Sequence, residues 1–312
     1  MSHKLLVAFI GVSLSVVFFA GCGPQAKISL NLQKGDVTTY KAGYETTQSV
    51  VLDMAQQTPN KDKHTSKKVE VTFTQEIQGI NEDSTALARI TIMDVLILTK
   101  DTDVVSFSFD SSKEADSKRP LNALIGKSYT INISPDGKVT PADAAAIRGV
   151  KVTGSERNVA RNLFSDSEII KRHEIHLPEQ GASRVKEGQG WSKVVWSHEK
   201  IMMKKAFEKS YVVDSITGNV ANVTMTAYET DKVAEGSPPK GSGFGFMAGM
   251  FDSQEKYTGQ MKIDIKTGKV IKWNEICVAN YIVTDKTSKN DKGEPASLTM
   301  GLTHSISLEK LD

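Results

Sequence analysis

Alternation with a period of two residues runs through most of this 312-residue chain, and it leaves few folds open. In Val69 to Thr74, Val69, Val71 and Phe73 fall on one face while Glu70, Thr72 and Thr74 fall on the other. That is the pattern of a strand with one face buried and one in water. Val105, Phe107 and Phe109 repeat it, as do Tyr129, Ile131 and Ile133, then Ala221, Val223, Met225 and Ala227, and then Met261, Ile263 and Ile265. Asn81-Glu82-Asp83-Ser84, Pro135-Asp136-Gly137, Thr217-Gly218-Asn219 and Thr267-Gly268-Lys269 separate such runs with the residues that hairpin turns need. The expected fold is mostly β and antiparallel.

One stretch departs from this rhythm. From Asp143 to His173 the apolar spacing becomes helical, through Ala145, Ala146, Val159, Leu163, Ile169 and Ile170, until Pro178 ends it. The β-rich parts on either side look alike. Lys34-Gly35-Asp36 leading to Tyr40 corresponds to Glu187-Gly188-Gln189-Gly190-Trp191, and the hairpin across Asn81 corresponds to the hairpin across Gly218. Ile133 to Val139, across Pro135-Asp136-Gly137, corresponds to Ile265 to Val270 across Thr267-Gly268. The sequence therefore predicts two similar curved antiparallel sheets or half-barrels with one or two intervening helices, α+β in detail. The expected boundaries are 28–142 for the first β-rich half, 143–178 for the helical connection and 179–312 for the second half.

The N-terminus reads as an address. Met1-Ser2-His3-Lys4 is a short basic start, Leu5 to Ala20 is an apolar run of 16 residues, and Phe19-Ala20-Gly21-Cys22 closes it with small residues before a cysteine. The run is shorter than the roughly 20 residues of a spanning helix, and its end resembles the lipobox of bacterial lipoprotein signals, with Phe19 where an aliphatic residue is usual. Residues 1–21 are thus expected to be a signal peptide and 22–27 a tether lipid-modified at Cys22. The partner this implies is the membrane. The localisation it implies is the cell envelope, with the body facing the periplasm or exterior. Five residues, 23–27, reach roughly 17 Å when extended, which keeps that body near the bilayer.

Composition narrows the function classes. Lys and Arg number 39 against 37 Asp and Glu, a net charge of +2, which lacks the basic surface of a nucleic-acid binder. A mean hydropathy of −0.29 excludes a bundle of membrane-spanning helices, and two cysteines exclude a disulfide scaffold. Leu32-Gln33-Lys34-Gly35-Asp36, Leu124-Ile125-Gly126-Lys127-Ser128-Tyr129 running into Ile133 to Val139, and Leu177-Pro178 followed by Lys186 to Trp191 resemble an uncharacterised bacterial lipoprotein family. That family is a domain of unknown function common in planctomycete-like genomes. The resemblance spans about residues 28 to 200, implies an exported β-rich protein, and carries no catalytic residue.

Candidate site residues are few. His173-Glu174-Ile175-His176 has spacing three where a zincin needs four, so with His198 and Glu179 it makes a weak metal motif; the expected metal and cofactor content is none. His304 shares the apolar face of the last strand with Leu298, Met300, Leu302, Ile306 and Leu308, where it would line a cavity or sit as a satisfied core residue. His64 falls in a charged loop, Lys61 to Lys68, and Cys277 reads as a small buried hydrophobe. The stretch 241–251 places Phe244, Phe246, Met247, Met250 and Phe251 among glycines, a composition for covering a core or for contacting a lipid or partner protein. No nucleophile elbow or phosphate loop is present, so no enzyme is expected. The expected function is non-catalytic binding of an apolar ligand or an envelope partner. The alternative is an envelope scaffold with solid cores and no cavity.

Overall fold

The computed structural model describes residues 25–53, 62–179, 184–197, 205–234 and 252–312. The first half holds β1 (Gln25–Ala26), β2 (Val37–Asp53), β3 (Lys63–Ile80), β4 (Ala86–Asp101), β5 (Val104–Asp110), β6 (Ser128–Ile133) and β7 (Val139–Asp143). Three short helices follow, α1 (Ala145–Arg148), α2 (Glu156–Leu163) and α3 (Asp166–His173), where one or two were expected. The second half holds β8 (Val185–Lys186), β9 (Gly190–Trp196), β10 (Ala206–Thr217), β11 (Val220–Thr230), β12 (Asp252–Asp264), β13 (Val270–Lys289) and β14 (Pro295–Lys310). The fold is mostly β and antiparallel, as the alternation predicts.

The two halves join in one sheet. Its order is β7-β6-β4-β3-β2-β14-β13-β12-β11-β10-β9, with β5 also on β4. Each half is a meander, and the seam is the pairing of the first long strand with the last, from Tyr40↔Lys310 to Asp53↔Ser297. The sheet is not closed into a barrel: among the described residues β7 and β9 end its path. Inward side chains of both halves belong to a single apolar cluster, with Phe73, Ile90, Ile131, Tyr211, Met225 and Ile263 each at most 1% exposed.

Bulges at corresponding places in the two halves bend the strands. In β4 the buried phase runs Ala86, Ala88, Ile90, Ile92 and then resumes at Val95 and Ile97, because Met93 is an extra residue facing the Thr72–Phe73 step. Gln78 in β3 and Asp214 in β10 are likewise extra. Such residues kink a strand and increase its twist.

Hydrogen bonds show how far the halves repeat. Gly35 N–H donates to the Ile77 carbonyl at 2.8 Å while Ile77 N–H donates to Asp36 at 2.9 Å. Gly188 N–H donates to Val213 at 2.8 Å while Val213 N–H donates to Gln189 at 2.9 Å. Both glycines have positive φ, 88° and 77°. By this register β2, β3, β4, β6 and β7 match β9, β10, β11, β12 and β13. After β13 comes β14; after β7 come the helices. The helical segment therefore stands where the sixth strand of the first half would be, and the edge it leaves unpaired is β7.

Two segments cross between the halves. The N-terminal segment pairs β1 with β8, donates from Leu30 to the Pro135 carbonyl at 2.9 Å, and runs so close to Gly268 (φ 69°) that a Cβ there would lie 2.3 Å from Asn31 N. Ala26 and Ile28 are buried beneath it. The chain after α3 makes the second crossing and forms one wall of the site described next.

Candidate functional site

Helix α3 is fixed to the first half by a buried polar cluster. Ser165 caps it, accepting from Glu168 N–H at 3.3 Å, and Asp166 and Glu168 at its start oppose Lys171 and Arg172 at its end, as the helix dipole favours. Arg172 donates to the Leu163 carbonyl at 2.7 Å and to Tyr129 Oη at 3.1 Å, with its guanidinium 5.3 Å over Phe164. An arginine only donates, so the Tyr129 proton goes to His173 Nε2 at 2.7 Å, which makes His173 a neutral acceptor. Its ring meets Phe73 edge-on at 4.7 Å.

Burial, with the Arg172 charge adding to it, holds the His173 imidazole well below its ordinary value of 6.5. Below about pH 6.5 the unfolded chain takes up a proton that the folded chain refuses, so stability falls as the pH falls. The melting temperature is expected to drop between pH 7 and pH 5, and to drop less in His173→Gln, which cannot titrate. Equal losses in both proteins would place the titrating group elsewhere.

Past α3 the chain becomes extended at Glu174 (φ −72°, ψ 132°) and spans the gap between the halves. Towards the first half, Ile175 N–H donates to Gly137 at 3.2 Å and Leu177 N–H to Asp136 at 3.0 Å. Towards the second half, the Trp191 indole donates to the His176 carbonyl at 3.0 Å, and His176 Nδ1 lies 3.1 Å from Tyr211 Oη. Trp191 stacks on Tyr211 with ring centroids 5.1 Å apart. Burial first, then the nearby Glu275 and Glu174 charges, raise the Tyr211 phenol well above its ordinary range, so it remains a hydroxyl.

Between this bridge and the inner face of the second half lies a cavity of about 520 Å³. Ile170 and Leu177 wall it on the helical side, and Val195, Trp196, Trp273 and Ile306 on the sheet side. Gly259 on β12 makes the indole's position available, since a Cβ there would sit 3.0 Å from the Trp273 ring. Lys138, Lys171, Lys193, Asp136 and Glu174 also line it and balance one another in sign except for one lysine, and Ser167, His176 and Tyr257 add uncharged polar atoms.

Two charges face this apolar space from the sheet. Lys209 on β10 and Glu275 on β13 are separated by two strands, about 14 Å in a flat sheet. Their side chains nonetheless meet, with Lys209 Nζ 2.7 Å from both Glu275 oxygens and both residues under 9% exposed. Curvature and the small Ala227 and Gly259 on the intervening strands allow it. The signal was in the sequence: Lys209 shares the phase of Phe207, Tyr211 and Val213, and Glu275 that of Trp273 and Cys277, so each is a charge on an apolar face.

The expected site residues fare as follows. His173 and His176 point to opposite halves, His173 to Tyr129 and His176 to Tyr211, so they do not converge. Glu179 is exposed, and His198 lies outside the described residues, as do Cys22, Phe244, Phe246, Met247, Met250 and Phe251. His304 is 3% exposed at the seam, its Nδ1 2.8 Å from Thr46 Oγ1; its neighbour Ile306 lines the cavity. His64 is exposed, and it belongs to β3 rather than to a loop, because β3 extends out to Lys63 in register with β2. Cys277 is buried on the inner face, which pushes its thiol up to about 11. Among the described residues no group of three or more His, Cys, Asp or Glu is placed to hold a metal, and no helix is long and apolar enough to cross a membrane.

No protein-family model matches the chain, and no curated protein does. Among solved structures it is similar to one described as lipid-protein interactions in lipovitellin, at 11% identity and a TM-score of 0.48, over 90% of this chain and 25% of that one. It is also similar to OpdQ of Pseudomonas aeruginosa, at 8% identity and a TM-score of 0.21, over 88% of this chain and 99% of that one. The chain thus spans about a quarter of the lipovitellin chain it matches. At these values neither likeness bears on what the chain does.

Proposed function

We propose that this chain is an exported lipoprotein, anchored through Cys22 in the cell envelope, whose β-rich body binds a small amphipathic ligand without chemical turnover. One observation carries the ligand reading: the cavity of about 520 Å³ between the bridge and the second half, with tryptophan and aliphatic walls. Its size falls within the roughly 300–1,000 Å³ of small-molecule sites, and its tryptophan and aliphatic surface beside charged side chains suits a ligand with an apolar body and a polar head. A scaffold with solid cores would have no use for it. The anchor reading is supported by the lipobox-like Phe19-Ala20-Gly21-Cys22 and by the apolar run before it.

The test is organic extraction and mass spectrometry of protein beginning at Gly23, which retains every element described above, purified without detergent from its native envelope. A stoichiometric lipid or other amphiphile is the expected result. An empty extract, together with no uptake of added amphiphile, would favour the scaffold and defeat the ligand reading.

A further inference from the structure

The Lys209–Glu275 pair is costly where it stands. Charges withdrawn from water are seldom repaid in full by their mutual attraction, and apolar residues of the same size serve a core as well or better. Here the pair is on the wall of a cavity to which Ile170, Leu177, Trp273 and Ile306 contribute apolar surface. Its hydrogen-bonding capacity is also incompletely used. Among the described residues, Lys209 spends its donors on Glu275 alone, leaving one of three N–H groups over, and each Glu275 oxygen retains lone pairs.

We infer that Lys209 and Glu275 are the polar end of the cavity and select an uncharged amphiphile, one carrying a hydroxyl beside an ester or amide, over a fatty carboxylate of the same chain length. The inference rests on the ligand-binding reading above. A neutral head supplies both missing partners: its carbonyl accepts from Lys209 and its hydroxyl donates to Glu275, while its chain lies along Trp273, Val195 and Ile306. A carboxylate head gains Lys209 only by standing beside Glu275, and two carboxylates sharing one ammonium in a poorly solvated site repel each other. A plain hydrocarbon leaves the pair without partners. The rest of the lining does not reverse this preference, because Lys171 is held by Glu168 at 2.5 Å and Lys138 and Lys193 are matched in number there by Asp136 and Glu174.

The chain reports on its own site, since all three tryptophans are at or beside the cavity: Trp196 and Trp273 in its wall, Trp191 stacked on Tyr211. Monolaurin, laurate and dodecane would be titrated at pH 8 against the delipidated protein beginning at Gly23, following tryptophan emission and native mass spectra. Monolaurin is expected to bind at least about tenfold more tightly than laurate. The double variant Lys209→Met, Glu275→Leu is expected to lose that preference while still taking up the alkyl chain. Laurate binding as tightly as monolaurin would overturn the inference and leave the ligand reading in place, as would a folded double variant with the wild-type ranking. Failure of all three probes would remove both. If the variant does not fold, the wild-type ranking alone decides.

Discussion

Replacing Glu275 alone by leucine is expected to destabilise the protein by about 3–5 kcal/mol, and adding Lys209→Met to the same chain is expected to restore most of that loss. The single change leaves an ammonium group in a position less than 9% exposed, without the carboxylate that now holds it at 2.7 Å from two oxygens. The second change removes the stranded charge and fills the same space with a flexible apolar side chain. Denaturant unfolding of the wild type, both single variants and the double variant closes the cycle. If the two single losses simply add in the double variant, the residues are not coupled and the pair described here does not form. If the double variant matches or exceeds the wild type, the pair is retained for something other than stability, which is what a ligand-facing role requires.

Gly137→Ala should cost about 2–5 kcal/mol and disconnect the bridge from the first half. The residue sits at φ 85°, where any side chain is strained by about 1–2 kcal/mol, and an added Cβ would lie 2.3 Å from the Ile175 carbonyl and 2.5 Å from its side chain. Neither contact can be relieved locally, because Ile175 N–H is held by Gly137 itself and Leu177 N–H by Asp136. Displacing one residue to fit another typically costs a further 1–3 kcal/mol. Since Ile175 and Leu177 line the cavity, the variant is expected to bind amphiphiles more weakly as well as melting earlier. Gly154→Ala is the control: its φ of 65° imposes the same strain, but its Cβ would have nothing within 4 Å. Equal effects from both variants would mean that backbone strain alone, and not the bridge, is responsible.

The strands were legible because burial of one face imposes a period of two, and the runs around Val71, Ile131, Val223 and Ile263 all keep their inward phase in the structure. The turns were legible for the same local reason, and Gly35 and Gly188, matched as sequence, make matching hydrogen bonds. What could not be read was anything set by distant partners. Nothing near Tyr40 announces Lys310, so whether the halves were separate sheets or one was open until the seam was seen. Pro135-Asp136-Gly137 read as a hairpin turn, which it is; that its glycine also receives Ile175 depends on a segment 38 residues later in the chain. Lys209 and Glu275 stand in the sequence as charges in phase with apolar neighbours, but their pairing depends on sheet curvature. The histidine motif is weak as a metal site in the sequence, and its two rings part in the structure because α3 ends at His173 and the extended residues beyond it turn His176 the other way.

The seam also orders the assembly of the molecule. Every other neighbouring pair of long strands is linked by a hairpin or a short excursion, so each half can zip by local steps soon after it is made. The central pair joins positions 244 to 270 residues apart, from Asp53↔Ser297 to Tyr40↔Lys310, and no loop can be closed across it until the last strand exists. Contacts of that separation are the slowest to form and dominate the folding rate of β proteins. A nascent chain of this design lacks the partner of its central β2 edge until β14 has been made. Completion of the sheet is thereby deferred until β14 has been made, so the central seam is the last part of the sheet that can form.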